Sequence, residues 1–562
     1  MFCSCNRLSY NQLPNNTGPS LLSHIQFTMA SRGSMKLTME DVSKHNSEAD
    51  CWVVVDGVVY DVTKFLKAHP GGKSILLAYA GKDITNEFYD FHSRDVLEKY
   101  GPKLKVGTIG ENGNVPLSEA RKAIDIYTPF AEPTFLRGWK SPFYKEHHIR
   151  CRNAVRSFIY DTLRPLVEGC DENNEDPPAE AFLACGKAGI IAARIGPPAI
   201  PYVKELGIQL PGGISPDELD YFIESLTNYQ LSACMNHGIS DGLGAGLNIG
   251  LPPIIHFGTP AQKKKYVPPV LLGQKRICLA ISEPAAGSDV AGMLTTAKLS
   301  PDGSHYIVNG IKKWITGGTA ADIFVTAVRT GGPGHNGLSF LIIERSEGVT
   351  TNKIKTSYSG AASTALVMFE NVKVPKENLI GPENSAFKMI MANFNHERWM
   401  IVHCWLGKIR TAVADCYRWS MQRKAFGRRL IDQPVIRYKL AEISAAIESL
   451  EAWNDSITYQ MCNMEYKRQA TELAAPIALL KFYTTRVTAM IADNAAQIFG
   501  GRGVTRTGMG KNIEEFNRAY KIVSIYGGSE EVLADMAVRQ SVGMLDAQIA
   551  KGNKKAIVMS RL

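Results

Sequence analysis

WVVVDGVVYDVTKFLKAHPGG, Trp52–Gly72, places two apolar β-branched runs on either side of Asp56-Gly57 and ends in a His-Pro-Gly-Gly turn. Asp-Gly between such runs predicts a tight hairpin, because both residues tolerate positive φ. Pro70 fixes φ just after His69, and Gly71-Gly72 permit a turn that aims the imidazole inward. A second histidine, His92, follows 23 residues later in FHS, Phe91–Ser93. An iron held by two imidazoles needs them on opposite sides of a flat apolar pocket, so they must come from separate elements. His69 and His92 meet that requirement, with Phe65, Ile75, Leu76, Phe88, Phe91 and Leu97 available as walls. Two protein ligands leave no open position on the iron, so such a site relays single electrons.

Residues 36–110 as a whole resemble cytochrome b5. The resemblance implies a small α+β fold, a b-type haem, and His69 and His92 as its axial ligands. Both histidines are present, which points away from steroid-binding relatives that have lost a ligand.

The chain runs on to 562 residues, 45% of them hydrophobic, too long for one core. No run of about 20 apolar residues predicts a spanning helix. The formal charge is +9, while residues 36–110 hold 10 basic and 11 acidic side chains, so the positive excess lies elsewhere. That balance suits an acidic ligand, and no Lys/Arg block is dense enough for nucleic acid. Eleven cysteines without CxxC pairs read as a reducing compartment. The final Ser560-Arg561-Leu562 is one conservative change from the Ser-Lys-Leu peroxisomal signal. The first 35 residues carry Arg7 and Arg32 and no acid, which leaves a mitochondrial presequence as the alternative.

Pattern changes set the expected domains. Residues 1–35 read as a disordered leader, 36–110 as the front module, and 111–135 as a Pro/Gly-rich linker or partial wrap. Residues 136–275 show helical spacing, as in ELDYFIESLTNYQL, Glu218–Leu231. Residues 276–384 read as short antiparallel strands of a barrel or sandwich. Long helices return over 385–550, and 551–562 form a tail.

Five stretches of this larger part carry chemistry. AISEPAAGSDV, Ala280–Val290, is a loop whose short side chains let a cofactor edge approach the backbone. NGIKKWITGG, Asn309–Gly318, sets Trp314 and Thr316 two residues apart, on one side of a strand. QRKAFGRRLIDQP, Gln422–Pro434, gathers arginines suited to phosphate around Phe426. QIFGGRGVTR, Gln497–Arg506, and SIYGGSEEVLADMAVR, Ser524–Arg539, are glycine turns beside helices. Read singly, these are also what core tryptophans, basic faces and helix caps look like. Together they resemble the acyl-CoA dehydrogenase family over about residues 120–550. The resemblance implies a helical domain, a β-barrel-like domain and a C-terminal four-helix bundle, with FAD as cofactor. It places Ser282, Ser288, Trp314 and Thr316 at the flavin. It places Arg423, Phe426, Gln497 and Gly501 on the adenosine-pyrophosphate of a neighbouring subunit's FAD, so a homo-oligomer, dimer or tetramer, is expected.

Dehydrogenation between Cα and Cβ of an acyl-CoA needs a carboxylate for the α-proton, an acceptor for the β-hydride, and donors to the thioester oxygen. Many family members carry that carboxylate in an IYEGT-like turn, where this chain has glycine at Gly527. Isovaleryl and long-chain members carry it in an earlier Glu-Arg pair, and NFNHERWMIV supplies Glu397 and Arg398 there. The resemblance thus implies Glu397 as general base, Arg398 as a substrate contact, and the Gly527 N–H as a donor to the thioester oxygen. Local sequence alone leaves Glu397 equally a surface carboxylate paired with Arg398 or Lys388. His396 points about 100° around the helix and is the poorer base. A fused haem gives reduced FAD a one-electron outlet, with an external acceptor or reductase as further partner. An acyl-CoA oxidase releasing peroxide and a non-catalytic acyl-CoA or haem-binding protein are the alternatives, and acyl chain length is not legible.

Overall fold

The computed structural model describes residues 35–92, 95–109 and 128–550, and the chain divides into two compact units at Ala120/Arg121. Residues 1–34 of the expected leader, residues 111–127 of the linker, and the tail with Ser560–Leu562 lie outside the described residues, while Met35, the last residue of that leader, opens the first strand.

The front unit is built on five strands: β1 (Met35–Leu37), β2 (Asn46–Ser47), β3 (Asp50–Val55), β4 (Val58–Asp61) and β5 (Lys105–Ile109), in the order β1-β5-β4-β3-β2. The Asp-Gly hairpin forms as expected. Val55 pairs with Val58, and Asp56 and Gly57 take φ of 52° and 72°, the two positive values that match the twist of the flanking strands. Val42, Val54, Val59 and Val106 make the core. Among its described residues four short α-helices complete the unit: α1 (Met39–Ser43), α2 (Lys73–Ala78), α3 (Thr85–Phe91) and α4 (Asp95–Leu104). The Val54 N–H donates to Lys82 O and the Ile84 N–H to Val54 O, which ties the entry to α3 to the sheet.

The second unit is helices, sheet, helices. The end of the expected linker wraps onto it: Glu132 is buried between Arg152, at 2.7 Å, and Arg156, and the Phe130 carbonyl accepts from Arg410. The main helices of the first layer are α5 (Glu146–Phe158), α6 (Tyr221–Cys234) and α7 (His237–Gly250). Glycines 238, 242, 246 and 250 recur every four residues on α7. A Cβ would strike the Ser359 side chain at Gly238, Ala361 O at 2.0 Å at Gly242, Thr316 O at 2.9 Å at Gly246, and the Cys278 backbone at 2.8 Å at Gly250. The stripe lets α7 lie directly on the middle domain.

That domain holds β6 (Ile277–Ala280), β7 (Thr296–Leu299), β8 (His305–Ile315), β9 (Ile323–Arg329), β10 (Leu338–Glu344), β11 (Val349–Lys353), β12 (Ala365–Pro375) and β13 (Leu379–Ile380). Their order is β11-β12-β8-β7-β9-β10-β13, with β6 parallel to β9. The strand-rich middle domain forms as expected; β11 and β13 end the path and do not pair with each other, so the sheet is barrel-like without closing. The four-helix part follows as expected, with α8 (Ala386–Gln422), α9 (Pro434–Cys462), α10 (Ala474–Phe499) and α11 (Glu530–Ala550). Helix α8 spans two cores. Ala386, Met389 and Ile390 pack with the first helices and the sheet, while Trp399, Trp405 and Trp419 pack in the bundle. Asn395–Arg398 fall at the seam between the two cores.

Candidate active site and cofactor sites

Glu397 sits at that seam, 8% exposed, and its Oε2 is buried without a hydrogen-bond partner. Burial pushes the carboxyl up to about 7, while the charges of Arg398 and Lys481 pull it back. Opposite lies Gly527, with φ of 65°. A Cβ there would stand 2.6 Å from Ile401 Cδ1 and 3.9 Å from Glu397 Oε1. The missing side chain in the turn and the carboxylate from the helix thus occupy one space. The Gly527 N–H has no acceptor among the described residues.

Arg398 braces that turn: its Nε donates to Gly527 O at 2.9 Å and its Nη1 to Asn395 Oδ1 at 3.0 Å. Lys481, which the motif reading missed, does the same from α10. It is fully buried, its Nζ donates to Gly528 O at 2.8 Å, and burial brings its pKa down to about 7. A lone lysine inside the apolar run IALLKFY was the available signal. His396 is engaged elsewhere, 2.6 Å from Glu224 Oε1. Gly527→Ala is expected to cost about 1–2 kcal/mol for the left-handed backbone and a further 1–3 kcal/mol, roughly, for overlap with Ile401. Thermal unfolding of Gly527→Ala with and without Ile401→Ala separates the two, since only the overlap is relieved.

The flavin segments are joined by hydrogen bonds. The Lys313 N–H donates to Ser282 O at 2.8 Å. Ala365 pairs with Ile315 but Val367 with Lys312, which places a bulge at Lys313-Trp314, and Trp314 takes φ of 68°. The expected same-side alternation of Trp314 and Thr316 is therefore broken, because a bulge re-aims a side chain. Trp314 is turned outward at 54% exposure, with the Lys313 ammonium 4.6 Å over its ring. Thr316 is half-buried past the strand end, Ser282 is half-buried and Ser288 is exposed. Buried Glu283 pins the loop, accepting from Leu294 N–H, Thr295 N–H and Lys312 Nζ at 2.6, 2.9 and 2.7 Å. A half-exposed indole beside an exposed Ser/Gly loop fits a flat heterocycle and its chain of polar atoms. Phe426, φ 53° and 96% exposed, tips the hairpin Lys424–Ala425/Arg428–Arg429 one step beyond Arg423. Gln497 and Gly501 are exposed as well. This outward set fits a ligand held together with another copy.

In the front unit His69 and His92 face each other with ring centres 5.9 Å apart and planes at 76°. With metal–nitrogen bonds of about 2.0 Å, two imidazoles on opposite sides of one iron have centres about 6 Å apart. The donor set therefore fits a haem. His69 Nδ1 lies 3.2 Å from Gly72 O, so an N–H there leaves Nε2 for the iron. Gly71 is required: a Cβ would meet His69 Cε1 at 2.8 Å. Phe65 and Phe88 stand edge-on and tilted against the two imidazoles, and Ile75 and Phe91 are exposed apolar groups, 37% and 56%. Burial lowers the pKa of His92, which favours the neutral, ligating imidazole. The cluster His147, His148 and Asp220 is a helix cap instead. Both ring nitrogens of His148 are engaged, by Lys145 N–H at 2.8 Å and Asp220 at 3.0 Å. No helix among the described residues is long and apolar enough to cross a membrane.

Comparison with known proteins agrees with this geometry. The cytochrome b5-like heme/steroid binding domain matches residues 38–110. The N-terminal, middle and C-terminal domains of acyl-CoA dehydrogenase match 145–274, 278–372 and 384–542. The acyl-CoA dehydrogenase apdG of Emericella nidulans is 39% identical over 76% of this chain and 98% of its own. Butyryl-CoA dehydrogenase from Megasphaera elsdenii superimposes with a TM-score of 0.63, at 27% identity, over 72% of this chain and all of that one. An acyl-CoA dehydrogenase complexed with FAD from Bacillus anthracis gives 0.64 at 26% identity, over 74% of this chain and 70% of its own. FAD and haem are the cofactors of the two families. The chain belongs to the acyl-CoA dehydrogenase family, as an oxidoreductase with a cytochrome b5-like domain at its front.

Proposed function

We propose that the protein converts a fatty acyl-CoA to its trans-2-enoyl-CoA and that the front unit carries the electrons away singly through a haem held by His69 and His92. The observation that carries this is Glu397: a dry carboxylate with an unpartnered oxygen, opposite a glycine that leaves it room. Glu397 takes the α-proton at Oε2. The Gly527 N–H donates to the thioester oxygen as negative charge builds there. Arg398 and Lys481 hold the carbonyls of Gly527 and Gly528 and so fix that donor. Ile401, buried beside Glu397 at the Gly527 turn, keeps water from the base. FAD, when bound, supplies the acceptor for the β-hydrogen and its electron pair, and Trp314 and Thr316 offer the surface for its ring.

Anaerobic stopped-flow absorbance with a panel of acyl-CoAs tests this. Flavin bleaching followed by conversion of the haem bands to the ferrous form is expected. Bleaching with the haem left ferric sinks the internal outlet, and no bleaching sinks the dehydrogenase role. Assembly into a homo-oligomer is supported by exposed Phe426, Val435, Tyr438 and Val504 beside the phosphate-type residues, and sedimentation reads it. A peroxisomal address rests on Ser560-Arg561-Leu562 alone, and relocation of a fluorescent fusion on deleting them tests it.

A further inference from the structure

Lys312 occupies a place on β8 where the fold calls for an apolar side chain. Tyr306 and Val308, alternate residues of that strand, are buried in the sheet core, and Lys312 continues their row at 0% exposure. An ammonium in such a place is costly unless its donors are answered.

They are answered within one short stretch of chain. Nζ donates to Ile281 O at 3.0 Å and to Glu283 Oε1 at 2.7 Å, and lies 3.8 Å from Met293 Sδ. The next residue of the strand takes the carbonyl in between, since the Lys313 N–H donates to Ser282 O at 2.8 Å. Two consecutive residues of β8 therefore hold two consecutive carbonyls, on either side of the Ser282 side chain. Glu283 completes the neck of the loop. Its carboxylate accepts from the Leu294 and Thr295 N–H groups, and its own backbone exchanges hydrogen bonds with Ala286 at 2.9 and 3.2 Å. Arg329 secures the returning limb from outside, donating to Ala291 O at 2.6 Å and Met293 O at 3.1 Å. Beyond this neck Pro284, Ala285, Gly287, Ser288 and Asp289 are all exposed. The loop is thus fixed where it leaves the sheet and open at its tip.

We propose that Lys312 is a positioning residue for FAD: from behind the Ser282 backbone it fixes the strand end that meets the flavin. This rests on the ring lying against Ser282, Trp314 and Thr316, as in the function proposed above. Stability alone does not call for the ion pair, because replacing a buried pair by uncharged side chains of similar volume is often neutral. What an uncharged side chain without a donor cannot do is hold the Ile281 carbonyl.

The test is titration of full-length apoprotein with FAD, read beside thermal unfolding of the same apoprotein. Lys312→Met is expected to weaken FAD binding by about 10–100-fold, the worth of hydrogen bonds to a charged group. It also lowers the unfolding temperature, because Glu283 is left as an unpaired buried carboxylate. Lys312→Met combined with Glu283→Gln separates the two effects. The glutamine is neutral and its carbonyl oxygen still accepts from the returning limb, so the unfolding temperature recovers most of the way. The Ile281 carbonyl stays unheld, so FAD remains at least about 10-fold weaker than in the wild type. The double variant also serves if Lys312→Met does not fold. A double variant that regains wild-type FAD affinity along with its stability overturns the proposal, and so does a folded Lys312→Met that binds FAD like the wild type. Trp314→Ala reports on the reading beneath. If its flavin absorbance and FAD affinity are those of the wild type, the ring does not lie at this loop, and that reading falls together with the role of Lys312.

Discussion

Glu397→Gln is expected to lose about 10²–10⁴-fold in kcat while keeping its FAD. The substitution preserves shape and removes only the ability to accept a proton. Arg398 and Lys481 still hold the Gly527-Gly528 turn, so the thioester donor stays in place. In the wild type the rate rises as pH passes through about 7, because the carboxyl must be ionised to act and burial has raised its pKa to about that value. Stability moves the other way. The folded pKa of about 7 lies above the ordinary 4.5. Between those values the folded protein keeps a proton that the unfolded chain has lost, so stability is full below the unfolded pKa and falls as pH rises through the window. Glu397→Gln escapes this loss. Above pH 7 it is expected to be more stable than the wild type, with a ceiling of roughly 3 kcal/mol. Denaturant unfolding at pH 5 and pH 8 checks it. A carboxylate kept for structure would show the opposite pairing, with lost stability alongside lost activity.

The sequence exposed Glu397 through a coincidence of two positions: a glycine where a carboxylate is usual, and a Glu-Arg pair on an earlier helix. Both are local signals, and the structure adds the contact between them. Lys481 was illegible because its partner is a carbonyl 47 residues on, and backbone acceptors leave no trace in residue identity. Arg398 was legible as present but not in its bond to the turn, for the same reason: its acceptor there is the Gly527 carbonyl. The outward turn of Trp314 was not legible because two-residue alternation presumes a regular strand, and the bulge at Lys313-Trp314 shows only in the pairing of β8 with β12. The glycines of α7 were in view at four-residue spacing, but what they make room for belongs to other parts of the chain. The strand-rich middle domain was legible, but not whether its sheet closes, because strand content does not say which strands are the ends. The haem pair was the most legible, since one ligand sits in a turn whose four residues each have a local reason.

His69→Ala is expected to abolish haem reduction by acyl-CoA altogether while flavin bleaching continues. Removing one of two axial imidazoles leaves the iron with an open position and the haem with one protein anchor, so the bis-imidazole spectrum disappears. The structure shows why no neighbour substitutes. The His69 ring is positioned by its own turn, through Gly72 O at 3.2 Å and the missing Cβ of Gly71, and among the described residues His92 is the histidine that faces it, at 5.9 Å. Gly71→Ala gives a graded version. Its Cβ would press on Cε1 at 2.8 Å and tilt the ring without deleting the ligand, and a disturbed support of this kind typically weakens metal binding by about 10–100-fold. Absorbance of the purified variants and anaerobic mixing with substrate read both effects together. An unchanged haem spectrum in His69→Ala would overturn the ligand assignment. Loss of flavin bleaching in the same variant would mean that the front unit supports the dehydrogenase reaction itself, so the retained bleaching is what separates an electron outlet from a structural part.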